Sequence, residues 1–223
     1  MPAMVQHFSD VLCVWAYLGQ IRVDELQTRF GSQVVLQWRY IDLFGDTDQK
    51  IGEGWAKRGG WQGYADHVQQ LVGRFAHVSV NSHTWASVRP ASSAPAHQML
   101  VGVRMLEERG EAPVGSEAKL AWAIREAFFR DARDVADWGV LNHILRELGG
   151  PGQELQRLRE RGELHARLCR DYSLRAANGI QGSPTLLLDG GRQKLYGNVG
   201  YRVIEANVLE HLERRGEDFA SWC

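Results

Sequence analysis

Only three cysteines occur in 223 residues, Cys13, Cys169 and Cys223. So sparse and odd a set excludes the even, closely spaced framework of a small secreted disulfide scaffold. The chain also lacks an excess of charge of either sign, with 26 Lys plus Arg against 27 Asp plus Glu and a formal net charge of −1. That balance offers no general attraction for nucleic acid or for an anionic membrane. No apolar run approaches the roughly 18 residues that span a bilayer. The start, Met1-Pro2-Ala3-Met4-Val5-Gln6-His7-Phe8, lacks the basic beginning and long apolar stretch of a secretory signal. No internal repeat or low-complexity tract interrupts the chain. These absences point to the reducing cytoplasm, where a cysteine that matters is more often reactive than structural. What remains, 44% apolar and 24% charged residues, is an ordinary globular composition able to bury a substantial core.

The pattern along the chain alternates at both ends and is helical between them. Met4 to Phe8 reads as a short strand ending at Ser9-Asp10. From Val14, the apolar positions Ala16, Tyr17, Leu18, Ile21, Leu26 and Phe30 gather on a broad helical face closed by Gly31. Val34 to Ile41, rich in β-branched and aromatic residues, is a second strand. Phe44 to Gly63, rich in Gly, Asp and Trp, reads as a long loop. Helical periodicity then runs for about a hundred residues, with Ser116 as an expected N-cap and Gly149 as an expected stop. A further helix spans Glu163 to Ala177. Thr185 to Asp189 is a strand, Gly190-Gly191 a turn, Gln193 to Tyr196 the returning strand, and Val203 to Leu212 a last helix.

Two features carry chemistry. Cys13 falls where the first strand turns into the first helix, where free backbone N–H groups and the positive helix end would stabilise a thiolate and lower its pKa. The bland alternative is a buried cysteine acting as a small hydrophobe. The second feature is Gly182-Ser183-Pro184-Thr185, a proline directly before an apolar strand. It is either a simple boundary residue or, with a cis Ser183–Pro184 bond, a loop that turns its backbone toward a bound chain.

Together these residues resemble a known family. The stretch Phe8-Ser9-Asp10-Val11-Leu12-Cys13-Val14-Trp15-Ala16-Tyr17-Leu18-Gly19, a helical middle, and Gly179-Ile180-Gln181-Gly182-Ser183-Pro184-Thr185 are similar to the DsbA family. The match is nearest to the branch of FrnE-type proteins and, further off, kappa-class glutathione transferases and 2-hydroxychromene-2-carboxylate isomerases. The resemblance implies an α/β thioredoxin-like fold, β-α-β followed by β-β-α, with a large inserted helical subdomain. Its segments are 1–45, the N-terminal β-α-β unit; 46–160, the loop and helical insertion; and 161–223, the closing α-β-β-α unit. Carried over residue by residue, Cys13 takes the place of the nucleophilic cysteine and Trp15 that of the aromatic before the second cysteine. Ser183 and Pro184 match the substrate-binding cis-proline loop. Asn198, in Gly197-Asn198-Val199-Gly200, matches the stretch that receives a carboxylate in glutathione-binding relatives; its plainer reading is a turn residue or N-cap.

The departure is Ala16, which stands where the family has its second cysteine, so no resolving thiol exists in the motif. The resemblance therefore implies a monothiol oxidoreductase acting on disulfides or glutathione adducts. No cofactor is required, glutathione serves as a co-substrate, and the partners are a small thiol, disulfide or peptide, with a homodimer possible. Two alternatives stand beside it: a glutathione-dependent transferase or isomerase of a small molecule, and a binding module or chaperone without turnover. Weaker readings attach to His165 and Cys169, four apart on one helix but too few for a metal site. Trp55 and Trp61 either line a pocket over Cys13 or pin their loop to the core. Cys223 is a remote candidate for resolving Cys13.

Overall fold

The computed structural model describes residues 2–213. Strand β1 (Ala3–Ser9) leads through helix α1 (Val14–Phe30) to β2 (Val34–Tyr40), which lies parallel to β1 with Ala3 opposite Val34 and Ser9 opposite Tyr40. Gly31 takes φ +50° and its N–H bonds Gln27 O, so α1 stops where a residue free to adopt that conformation occurs. Six helices follow: α2 (Gly60–Val72), α3 (Ala94–Glu108), α4 (Ser116–Phe129), α5 (Trp138–Glu147), α6 (Gly152–Glu160) and α7 (Glu163–Ala177). The chain then returns as β3 (Thr185–Leu188), antiparallel to β1, and β4 (Gln193–Tyr196), antiparallel to β3, before α8 (Tyr201–Glu213). The sheet order is β2-β1-β3-β4, with the first strand in the interior. No described helix is long and apolar enough to cross a membrane.

Several local expectations change in the folded chain. The segment from Phe44 to Gly63 is no open loop: a π-helical turn (Asp48–Glu53) and a short helical turn (Ala56–Arg58) precede α2, anchored by the fully buried Ile51. Ser116 does not cap α4. Gly115, at φ +88°, holds the capping position and the Ser116 hydroxyl donates back to Pro113 O at 2.7 Å. The last helix starts at Tyr201, two residues before the apolar period becomes visible at Val203.

One face of the sheet packs against α1 and α8 through Val5, Leu26, Val34, Leu186, Ile204 and Val208. The helical insertion does not have a core of its own. Val11, Leu12, Ala16 and Tyr17 share one apolar cluster with Leu100 of α3 and Ile124 and Phe128 of α4. The insertion therefore closes over the start of α1 and buries it.

A charged network also joins the insertion to the sheet. Arg104 of α3 makes a bidentate pair with Asp171 of α7, both bonds 3.0 Å, and a 2.9 Å bond to Glu117 of α4. Asp171 accepts the Tyr40 backbone N–H at 3.0 Å, at the end of β2. Burial outweighs the pull of Arg104 on Glu117 and pushes that carboxyl up to about 7. Because removing one partner of a buried pair strands the others, Arg104→Ala should cost about 3–5 kcal/mol of unfolding free energy. Denaturant titration checks this, and a loss below about 1 kcal/mol would place the network among surface-like pairs.

Candidate functional site

The geometry begins with the turn between β1 and α1. The Cys13 N–H bonds Asp10 O at 3.1 Å, and Cys13 itself caps α1 at φ −81°, ψ 115°, its carbonyl accepting from Ala16 and Tyr17 N–H. The Cys13 Sγ donates to Ser183 O at 3.2 Å. The Ser183–Pro184 peptide bond is cis. Ser183 Oγ accepts the Asp10 N–H at 3.0 Å, and Pro184 O accepts Gly197 N–H at 2.8 Å. The thiol and the proline loop, 170 residues apart in sequence, are thus in direct contact.

A residue not singled out from sequence holds this arrangement. Asp10 Oδ1 accepts Leu12 N–H at 2.9 Å, while Oδ2 accepts Phe44 N–H and the Ser93 hydroxyl, both at 2.8 Å. Burial nevertheless pushes the Asp10 carboxyl from 3.8 up to about 6. Beside it, His97 Nε2 accepts the Val11 N–H at 3.1 Å and lies 3.6 Å from Asp10 Oδ1. Burial, and to a smaller degree the charge of Arg125, press His97 down to about 3, so it is neutral and no ion pair forms with Asp10. The Asx pattern of an aspartate three residues before Cys13 was a local clue to Asp10. Ser93 and His97 had none, because only the fold brings α3 to this turn.

The environment of Cys13 corrects one expectation. Its side chain is buried, at 4% exposure. Burial pushes the thiol above its ordinary value, and the Asp10 charge adds to this. The Ser183 side chain and the N–H groups of Ala16 and Trp15 act in the opposite direction but do not prevail. The helix start is present as expected, yet in the resting protein desolvation wins over it.

The other expected residues fall in different places. Trp15, two residues after Cys13, is half-buried against the main core. Ala16 is 1% exposed. Asn198 does not cap α8; its Oδ1 accepts from the Arg22 guanidinium at the surface. Trp61 stacks on Trp85 at 6.0 Å and Trp55 meets Tyr64 edge-on at 5.0 Å, so both pin their segment to the core. From that segment it is Tyr64 that feels the Cys13 and Asp10 charges, and burial with both raises its phenol. Cys169 lies exposed on α7 with its Sγ 3.5 Å from His165 Nε2, and no group of three or more possible metal ligands occurs among the described residues. Cys223 lies outside the described residues.

A family model of the DSBA-like thioredoxin domain matches residues 4–208, and the chain belongs to that family. Solved structures sharing the fold include a probable DsbA oxidoreductase from Streptomyces coelicolor, at 19% identity and TM-score 0.73, covering 98% of this chain and 94% of that one. The cytosolic disulfide reductase DsbM from Pseudomonas aeruginosa, with GSH, aligns at 19% identity and TM-score 0.66 over 93% and 99%. A 2-hydroxychromene-2-carboxylate isomerase aligns at 18% identity and TM-score 0.66 over 98% and 100%. Among curated proteins no match is found.

The raised thiol has a direct readout. Under brief iodoacetamide treatment at pH 7, exposed Cys169 should be modified faster than Cys13, as resolved by peptide mass mapping. Preferential modification of Cys13 would show a stabilised thiolate despite the burial.

Proposed function

We propose that this member of the family is a monothiol oxidoreductase that reduces glutathione adducts or disulfides through Cys13, in a compartment where glutathione is held reduced. The observation that carries this reading is the contact of Cys13 Sγ with Ser183 O beside the cis peptide bond, with buried Ala16 where a resolving thiol would stand. In the first step the Cys13 thiolate attacks a substrate sulfur, its electron pair forms the new S–S bond, and the displaced thiolate takes up a proton. In the second, an external thiolate such as glutathione attacks the adduct and releases Cys13. The Ser183 backbone supplies a carbonyl that in the resting state is occupied by the thiol; a bound substrate chain takes its place in a β-like pairing.

The environment of Cys13 also favours the reducing direction. A strong oxidant of this kind owes its power to a stabilised reduced form with a low thiol pKa. Here burial raises the Cys13 thiol, so that stabilisation is absent. A structurally similar protein that is a cytosolic disulfide reductase, and that holds GSH, supports the same direction.

The test is intact mass after exposure to oxidised glutathione at about pH 8, where a larger thiolate fraction is present, in a Cys169→Ser/Cys223→Ser background. One glutathione should add and persist, and Cys13→Ser should abolish it. Ala16→Cys should shorten the adduct's life and leave a disulfide between Cys13 and the introduced thiol. Absence of any adduct, with tight binding of reduced glutathione instead, would favour a small-molecule transferase or isomerase. Absence of both would favour a binding module.

A further inference from the structure

Beneath the site lies a cation that has no acidic hydrogen-bond partner among the described residues. Arg125 of α4 is 0% exposed. Its Nη1 donates to Gln20 Oε1 at 2.8 Å and its Nη2 to Ser9 Oγ at 3.1 Å. Both acceptors are neutral, and the buried Nε has no hydrogen-bond partner among the described residues. A guanidinium removed from water and left without a counter-charge is costly, and a folded chain tolerates it where negative charge arises close by. The two anchors sit on the two elements that meet at Cys13. Ser9 ends β1, four residues before the thiol, and Gln20 lies two turns into the helix that Cys13 caps.

The titratable groups around Arg125 come from every element packed on it. His7 of β1 and His97 of α3 are pressed down to about 3, chiefly by burial and further by Arg125, so neither competes as a second cation. Tyr40 of β2, Asp24 of α1, and Asp10 and Cys13 of the connecting turn complete the set. Burial lowers Arg125, and negative charge on Tyr40, Cys13, Asp10 and Asp24 acts against it, favouring the charged guanidinium. Electrostatic coupling runs both ways, so the guanidinium in turn favours ionisation of Cys13, against a burial that remains the largest influence on that thiol. Burial still dominates in the resting thiol, and without the cation the thiolate would be less accessible again.

We propose that Arg125 is a positioning residue for the Cys13 reaction, the internal counter-charge against which the sulfur becomes a thiolate before attack and again when it is expelled from a mixed disulfide. This rests on Cys13 as the nucleophile, but it makes its own statement about the thiol. The test follows the rate of iodoacetamide alkylation from pH 6 to 11 in the Cys169→Ser/Cys223→Ser background. Arg125→Gln, which keeps hydrogen-bonding capacity and removes the charge, should raise the midpoint by about one unit. Alkylation at a fixed pH below the midpoint then slows about tenfold, with the limiting rate at high pH unchanged. Arg125→Lys should stay within about twofold of the parent, because the charge remains. A merely structural role would lower the melting temperature of both variants and leave the midpoint where it was. If Arg125→Gln does not fold, Gln20→Glu sets a carboxylate against Nη1, and it must slow alkylation at fixed pH in the same way. An unmoved midpoint in whichever of these neutralising variants folds overturns the proposal. The midpoint is read without turnover, so a shift in a protein that takes no glutathione would sink the proposed function and leave the role of Arg125 intact.

Discussion

The site depends on one carboxyl group. Asp10 accepts hydrogen bonds from its own turn at Leu12, from the segment after β2 at Phe44, and from the start of α3 at Ser93, while its backbone N–H reaches Ser183 in the proline loop. Four parts of the chain that are remote in sequence meet at this residue, and Cys13 is hung from its carbonyl. An acceptor-only group suits the position, because the Leu12, Phe44 and Ser93 groups bonded to the carboxyl oxygens are all donors. The arrangement also has a cost. Burial disfavours the carboxylate strongly enough to raise it to about 6, despite three bonds that pull it the other way.

The same competition between burial and compensation governs the sulfur. Helix-start N–H groups stabilise a thiolate, and at an exposed helix start they would dominate. Here the helical insertion shares one apolar cluster with Val11, Leu12 and Cys13, and desolvation exceeds the backbone contribution. The result is a buried thiol held above its ordinary value. It differs from a permanently poised thiolate, which a low thiol pKa would mark.

Much of this was legible in the residues. The alternating and helical periods marked the β-α-β beginning and the β-β-α ending, and the spacing of Cys13 and Ser183-Pro184 within them led to the family. What escaped was what depends on contacts between distant segments. His97 and Arg125 lie on amphipathic helices, and Ser93 directly before one, where a polar residue reads as solvated surface or cap; only the packing of α3 and α4 over α1 turns them inward. The thiol's raised value escaped for the same reason, since local sequence reports the helix start and not the lid of apolar side chains above it. Ser116 was misread because Gly115 can adopt a left-handed conformation that displaces the cap by one residue.

The burial of the Asp10 carboxyl is most directly tested by comparing the stability of the parent and Asp10→Asn across pH. In the folded parent the group ionises near 6 and in the unfolded chain near 3.8. Its contribution to stability is therefore complete below the lower value and is lost as pH rises through the window between them. The amide cannot ionise, so the variant escapes that loss. Denaturant titrations should show Asp10→Asn gaining about 2.4 kcal/mol relative to the parent between pH 4 and pH 7. A stability difference that stays constant over that range would contradict a carboxyl held in a buried cage beneath Cys13.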